Sequence, residues 1–153
     1  MSFLPEEAEV DYTASVFIVQ DGEVLFMNHE KLGQWIQPGG HIEEDETPDQ
    51  AAKREAKEET GITIEFIDGE QPESFSEEED LPVPFHTNIH KIRENHLHYD
   101  LMYLAEIKSK GEATHSHEHS GLKWFKREEL KDRNLNMPDN VRRTALKALD
   151  EKQ

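Results

Sequence analysis

The stretch Gly39–Ile62, GGHIEEDETPDQAAKREAKEETGI, decides how the rest of this 153-residue chain is read. Two glycines open it, an acidic loop follows, and the next segment carries helix signals at both ends. Thr47 stands at the N-cap, Pro48 at the first helical position, Asp49 in the first turn and Gln50 where a capping box takes Glu or Gln. Gly61 marks the stop. Between these signals Glu55, Glu58 and Glu59 fall at i, i+3 and i+4, so their carboxylates gather along one edge. Like charges so spaced disfavour an isolated helix by about 0.2–0.5 kcal/mol per pair, and Arg54, one turn before Glu58, offsets only part of that. Clustered hard oxygen ligands suit a hard divalent cation, Mg2+ first and Mn2+ as its substitute. The competing reading is a solvated acidic face, which is how the run Glu77-Glu78-Glu79-Asp80 reads in a chain this acidic.

The spacing extends beyond the helix. Gly40 is followed after five residues by Glu46, after seven more by Arg54-Glu55, then by Glu58-Glu59, Gly61 and aliphatic Ile62. This pattern resembles the signature of the Nudix hydrolases at every fixed position, and Trp35-Ile36-Gln37-Pro38-Gly39 is similar to the family's lead-in. Ala56 departs from it, standing where the family carries Leu, Ile or Val. With Ala52 it makes the buried side of the helix small, so the helix is expected close to its sheet with the carboxylates facing away. The resemblance implies an α/β (α+β) Nudix fold, a mixed β-sheet sandwiched between α-helices. It also implies a divalent-metal-dependent pyrophosphohydrolase acting on a nucleoside diphosphate linked to another moiety, modified nucleoside triphosphates among them. Mg2+ (or Mn2+) would be held by Glu55, Glu58, Glu59 and the carbonyl of Gly40, while Glu46 and Arg54 brace the loop and orient the carboxylates. In many members a glutamate from a later loop activates water. Glu118 is the candidate here, ahead of Glu112, and each also reads as a solvated loop acid. Markers of substrate subfamilies give no help: no SQPWPFPxS follows the box, and the proline of ADP-ribose enzymes and the tyrosine of diadenosine-polyphosphate enzymes are not at their usual offsets.

A formal net charge of −17, with 33% charged residues, argues against binding nucleic-acid polymers or anionic membranes by simple attraction. The chain has no cysteine, which excludes disulfide and thiolate chemistry. It has neither a basic-plus-apolar leader nor a long apolar run, so a cytoplasmic protein whose partner is a small-molecule nucleotide is the expectation. Many relatives implied by the resemblance are homodimers. Two other classes compete with an enzyme: a nucleotide- or metal-sensing module without turnover, and an acidic interaction protein. The intact Arg54-Glu55 and Glu58-Glu59 pairs count against the sensing module, since a pure binder would not need the whole charged set.

The rest of the chain reads as one domain, 1–153, with residues 1–10 a loose N-terminal arm. Tyr12–Gln20 reads as a buried strand, Asp21-Gly22 as a two-residue hairpin turn and Val24–Asn28 as the returning strand. Strands are expected at Ile62–Ile67, Phe85–Ile92, Leu97–Ile107 and Leu122–Phe125, the last anchored by Trp124, with exposed loops over 68–82 and 108–120. Pro138–Lys152 has the period of an amphipathic helix, with Val141, Ala145, Ala148 and Leu149 inward and Arg142, Arg143 and Lys147 outside the stripe.

Nine histidines need their own account. A hairpin centred on Glu94 would set His90 opposite His98 and Asn88 opposite Asp100. That grouping, like His115, His117 and His119 in the later loop, has ligands that suit zinc, but no HExxH or cysteine spacing supports a zinc site. Polar residues lining the substrate cleft or paired in the sheet are the plainer reading, with His98 and Asp100 as substrate contacts and Lys31 as a phosphate contact. Phe3, Tyr12, Trp35, Phe85 and Asn88 are candidates to meet a base, although Trp35 and Phe85 also suit a core.

Overall fold

The computed structural model describes residues 2–113 and 119–152. Its centre is β1 (Glu9–Gln20), whose inward positions from Ala14 to Val19 are apolar on both faces apart from Ser15. Such a strand must be covered on both sides. It pairs in parallel with β7 (His96–Lys110), from Glu9 opposite His96 to Ile18 opposite Ala105. It also turns through Asp21-Gly22 into β2 (Glu23–His29), where both turn residues take positive φ (52° and 76°) as the expected tight hairpin requires. β2 carries β3 (Trp35–Ile36) and β8 (His119–Lys126) as antiparallel partners.

β4 (Gly39–His41) adds to β1, and β5 (Ile62–Phe66) and β6 (His86–Arg93) add to β7. Helix α1 (Pro48–Thr60) covers one face of this sheet through Ala51, Ala52 and Ala56, all fully buried against Ala14, Val16, Ile18, Ile62, Ile64 and Tyr103. Helix α3 (Asp139–Glu151) covers the other, where Val141, Ala145, Ala148 and Leu149 meet Phe17, Val19, Phe26, Met102, Leu104 and Phe125. The expected sandwich and the expected apolar stripe of α3 are both present. No helix among the described residues is long and apolar enough to cross a membrane.

Two expectations need correction. β1 begins at Glu9, three residues before the expected start, because the parallel ladder to β7 continues past the apolar run and Glu9 N–H reaches Asn95 O at 2.8 Å. The core anchor of β8 is Phe125, buried against Phe26 and Trp35 with ring centroids at 5.6 and 5.1 Å, while Trp124 is half-buried on the other face. Register explains this: Phe125 lies opposite Val24, which belongs to the α3-side core. Arg142 lies outside the apolar stripe, as expected. Its guanidinium donates to the carbonyls of Leu130, Asp132 and Leu135, tying α3 to the turn after α2 (Arg127–Leu130).

Candidate active site

α1 starts and stops where its signals place it. Thr47 N–H donates to Gln50 Oε1 at 2.9 Å, one arm of the capping box, and Gly61 closes the helix in the left-handed region (φ 79°) with its N–H on Lys57 O at 3.0 Å. Asp49 in the first turn is buried, and Gln71 Nε2 donates to its Oδ2 at 3.0 Å.

The two glycines explain how α1 meets β4. A Cβ on Gly39 would lie 2.6 Å from Ala14 O and from Ser15 Cβ, so only glycine lets β4 press onto β1 here. A Cβ on Gly40 would lie 2.7 Å from Glu55 Oε1, so the backbone of Gly40 runs against the Glu55 carboxylate. Glu59 is drawn in further. It is 2% exposed, and its Oε1 accepts the Gly39 N–H at 3.0 Å. The expectation that the carboxylates face away from the sheet therefore fails for Glu59, which lies one turn beyond Glu55 and three residues from the buried Ala56, at the edge of the packed face.

Arg54 organises the remainder. Its Nε and Nη2 form a fork on Glu46 (3.1 and 2.7 Å), Nη2 also donates to His41 O at 3.2 Å, and Nη1 donates to Glu55 Oε1 at 2.8 Å and Glu58 Oε2 at 3.3 Å. The fork pulls the Glu46 carboxyl below its ordinary pKa and raises that of the guanidinium, which stays charged at any relevant pH. Glu55 moves the other way: burial raises its pKa, only partly countered by Arg54, and neighbouring Glu58 raises it further. Glu46 Oε1 also accepts the Glu43 N–H at 3.0 Å, which folds the loop between β4 and α1 onto the same arginine.

The other candidates are spread around this centre. Glu118 lies outside the described residues, as do His115 and His117. The described stem of that loop rests on the end of α1, where Gly111 N–H reaches Gly61 O at 2.7 Å, and Glu112 beside it is exposed. Lys31 is exposed in the loop between β2 and β3. The β6–β7 hairpin has the expected register, with His90 opposite His98 and Asn88 opposite Asp100. Asp100 is 6% exposed and accepts hydrogen bonds from Thr13 Oγ1 at 3.1 Å and Ser15 Oγ at 2.9 Å, and burial pushes its pKa up to about 6. Gln37 Nε2 donates in turn to Ser15 Oγ at 3.2 Å. Asp100 is thus buried support within the sheet, whereas His98 lies nearer the surface among His41, His90 and His96. Sequence reasoning missed Asp11 and His41 in this group, because the parallel β1–β7 register that sets Asp11 opposite His98 leaves no local signal.

A mixed sheet between helices, with a Gly-Gly strand laid against a carboxylate-bearing helix, is the architecture to be placed among known proteins. The NUDIX domain model matches residues 11–146, and the chain belongs to the Nudix hydrolase family. A NUDIX-family hydrolase from Clostridium perfringens is similar over 94% of this chain and 98% of its own, with 32% identity and a TM-score of 0.78. A MutT NUDIX hydrolase from Burkholderia pseudomallei shares the fold at 21% identity and a TM-score of 0.67, over 95% of this chain and 99% of its own. A MutT-like protein of Streptomyces ambofaciens is 44% identical over 52 residues, which span about a third of each chain (34% in both).

Proposed function

We propose that this chain is a divalent-metal-dependent pyrophosphohydrolase of the cytoplasm that cleaves a phosphoanhydride bond in a nucleoside diphosphate linked to another moiety, ordinary and modified nucleoside triphosphates included. The observation that carries this reading is the join of helix and turn. Glu59 accepts the Gly39 N–H, and Glu55 lies against the backbone of Gly40, so Pro38-Gly39-Gly40 and the glutamate edge form one site.

The residues fit a hard divalent ion. Every donor is an oxygen, and the burial that raises the proton affinity of Glu55 makes a neighbouring cation favourable too. Glu55, Glu58, Glu59 and the Gly40 carbonyl would hold Mg2+, with Mn2+ as its substitute. When bound, the ion would supply Lewis acidity and positive charge to offset the pyrophosphate. The need for it is plain in a chain of net charge −17, which repels a polyphosphate. The chain's own groups do the positioning. Gly39 N–H fixes one oxygen of Glu59, and Arg54 spans Glu55 and Glu58 while Glu46 holds it against His41 O. We assign the general base to Glu118 and a phosphate contact to Lys31.

A panel of nucleoside di- and triphosphate derivatives, assayed for phosphate or pyrophosphate release with and without Mg2+ or Mn2+, tests the reading. Release that requires the metal is expected. Tight nucleotide binding with no release across the panel would make the chain a sensor instead.

A further inference from the structure

Strand alternation divides β4 between two faces of the sheet. Gly40 looks toward α1, so the side chain of His41 lies on the α3 side, opposite Thr13 of β1. The parallel register sets Asp11 of β1 opposite His98 of β7 on that same side. The three side chains meet. Their potential ligand atoms lie within 4.8 Å of one another, and His41 Nε2 is already 3.6 Å from Asp11 Oδ2. Ligands at about 2.0–2.2 Å around a tetrahedral ion lie roughly 3.3–3.6 Å apart, so closure needs a shift of about an ångström. His41, whose side chain is 64% exposed, is free to make it.

We propose that Asp11, His41 and His98 form a second metal site, for a zinc-class transition ion, on the sheet face opposite the glutamate helix. Two imidazoles, borderline donors, beside one carboxylate favour Zn2+, Co2+ or Ni2+ over Mg2+. The surroundings are built for the same end. His96 Nε2 lies 3.0 Å from Asp11 Oδ2, and its bond to the carboxylate orients the ligand. His96 Nδ1 is buried and makes no hydrogen bond within the described structure. His90 is held by Asn88 (Nδ1 to Oδ1, 3.0 Å) and faces His98 with ring centroids at 6.0 Å. Asp100, which the hairpin alone would suggest as a ligand, is instead engaged by Thr13 and Ser15. An ion here would pin β4 to β1 and β7, and β4 is the strand whose other face carries the glutamate site.

The test is zinc retention on the full chain. Metal-free protein is given Zn2+, desalted in excess Mg2+, and assayed for bound zinc, and Co2+ is substituted for its visible tetrahedral spectrum. Wild type and Glu59→Gln are expected to keep one equivalent of zinc and give the cobalt bands. His98→Gln and Asp11→Asn, checked for folding by circular dichroism, should bind at least about tenfold more weakly and lose the bands. A variant with His115, His117 and His119 all changed to Ala should bind like wild type. Zinc that Mg2+ displaces, that Glu59→Gln removes, or that disappears with His115, His117 and His119 would overturn the proposal, as would no retention by wild type.

Discussion

The two faces of β4 make opposite use of the same short strand. On one, backbone atoms of Gly39 and Gly40 meet carboxylates from a single helix, and Arg54 supplies the positive charge. On the other, the imidazole of His41 meets Asp11 and His98 from two strands that pair across the middle of the sheet. The first face collects hard oxygen atoms and strong charge; the second collects imidazole nitrogens around one carboxylate. A few ångströms of sheet therefore separate two donor sets of different hardness.

The sharpest way to break this division is Glu59→Gln. The amide keeps an acceptor for the Gly39 N–H, so the thermal midpoint should move little, while Mg2+-dependent turnover should fall at least about a hundredfold. Wild-type turnover in that variant would remove the glutamate helix from the chemistry. Gly39→Ala probes the strand that both faces share. Its Cβ would strike Ala14 O and Ser15, and a loss of about 2–4 kcal/mol in urea unfolding is expected, with activity falling alongside. Stability like that of wild type would mean β4 does not need its close approach to β1.

Arg54→Lys sharpens the account of the first face alone. A lysine cannot reproduce the fork on Glu46 while also reaching Glu55 and Glu58, so kcat should drop about tenfold with little change in folding. Kinetics indistinguishable from wild type would show that charge alone suffices there.

Asp100→Asn addresses the second face and should give the smallest effect. In the unfolded chain this carboxyl titrates at about 3.9, and in the folded protein at about 6. Between those values the folded state holds more protons than the unfolded one, so stability falls as pH rises through the window and stays lower above it. In metal-free protein the Asn variant should flatten that slope and gain about 1 kcal/mol at pH 8, with no gain at pH 4. An unchanged slope in a pH series of melting curves would assign the titration elsewhere.

The contrast between the faces also governs what could be read in advance. The glutamate helix was legible because its signals are contiguous: Thr47, Pro48, Gln50 and Gly61 bound it, and the i, i+3, i+4 spacing needs no tertiary information. The hairpin pairs His90–His98 and Asn88–Asp100 were legible for the same reason, since Glu94-Asn95 fixes a local register. Asp11 beside His98 was not, because a parallel pairing has no turn to set it and β1 continues beyond its apolar run. Nor was the burial of Glu59, which depends on how closely three alanines let α1 approach the sheet. Phe125 and Trp124 are adjacent, so only the pairing with β2 determines which one enters the α3-side core.

That parallel pairing has a further consequence for how the molecule comes into being. Thr13 and Asp100 bond across 87 positions of sequence, and the Gly-Gly strand lies on a β1 whose other neighbour is the late-arriving β7. A nascent chain leaving the ribosome carries the whole glutamate motif by Ile62, yet β1 must wait for residues 96–105 before its edge is closed. Closure of β1 is thus deferred until residues 96–105 have been synthesised, and until then its edge stays open to pairing with other strands.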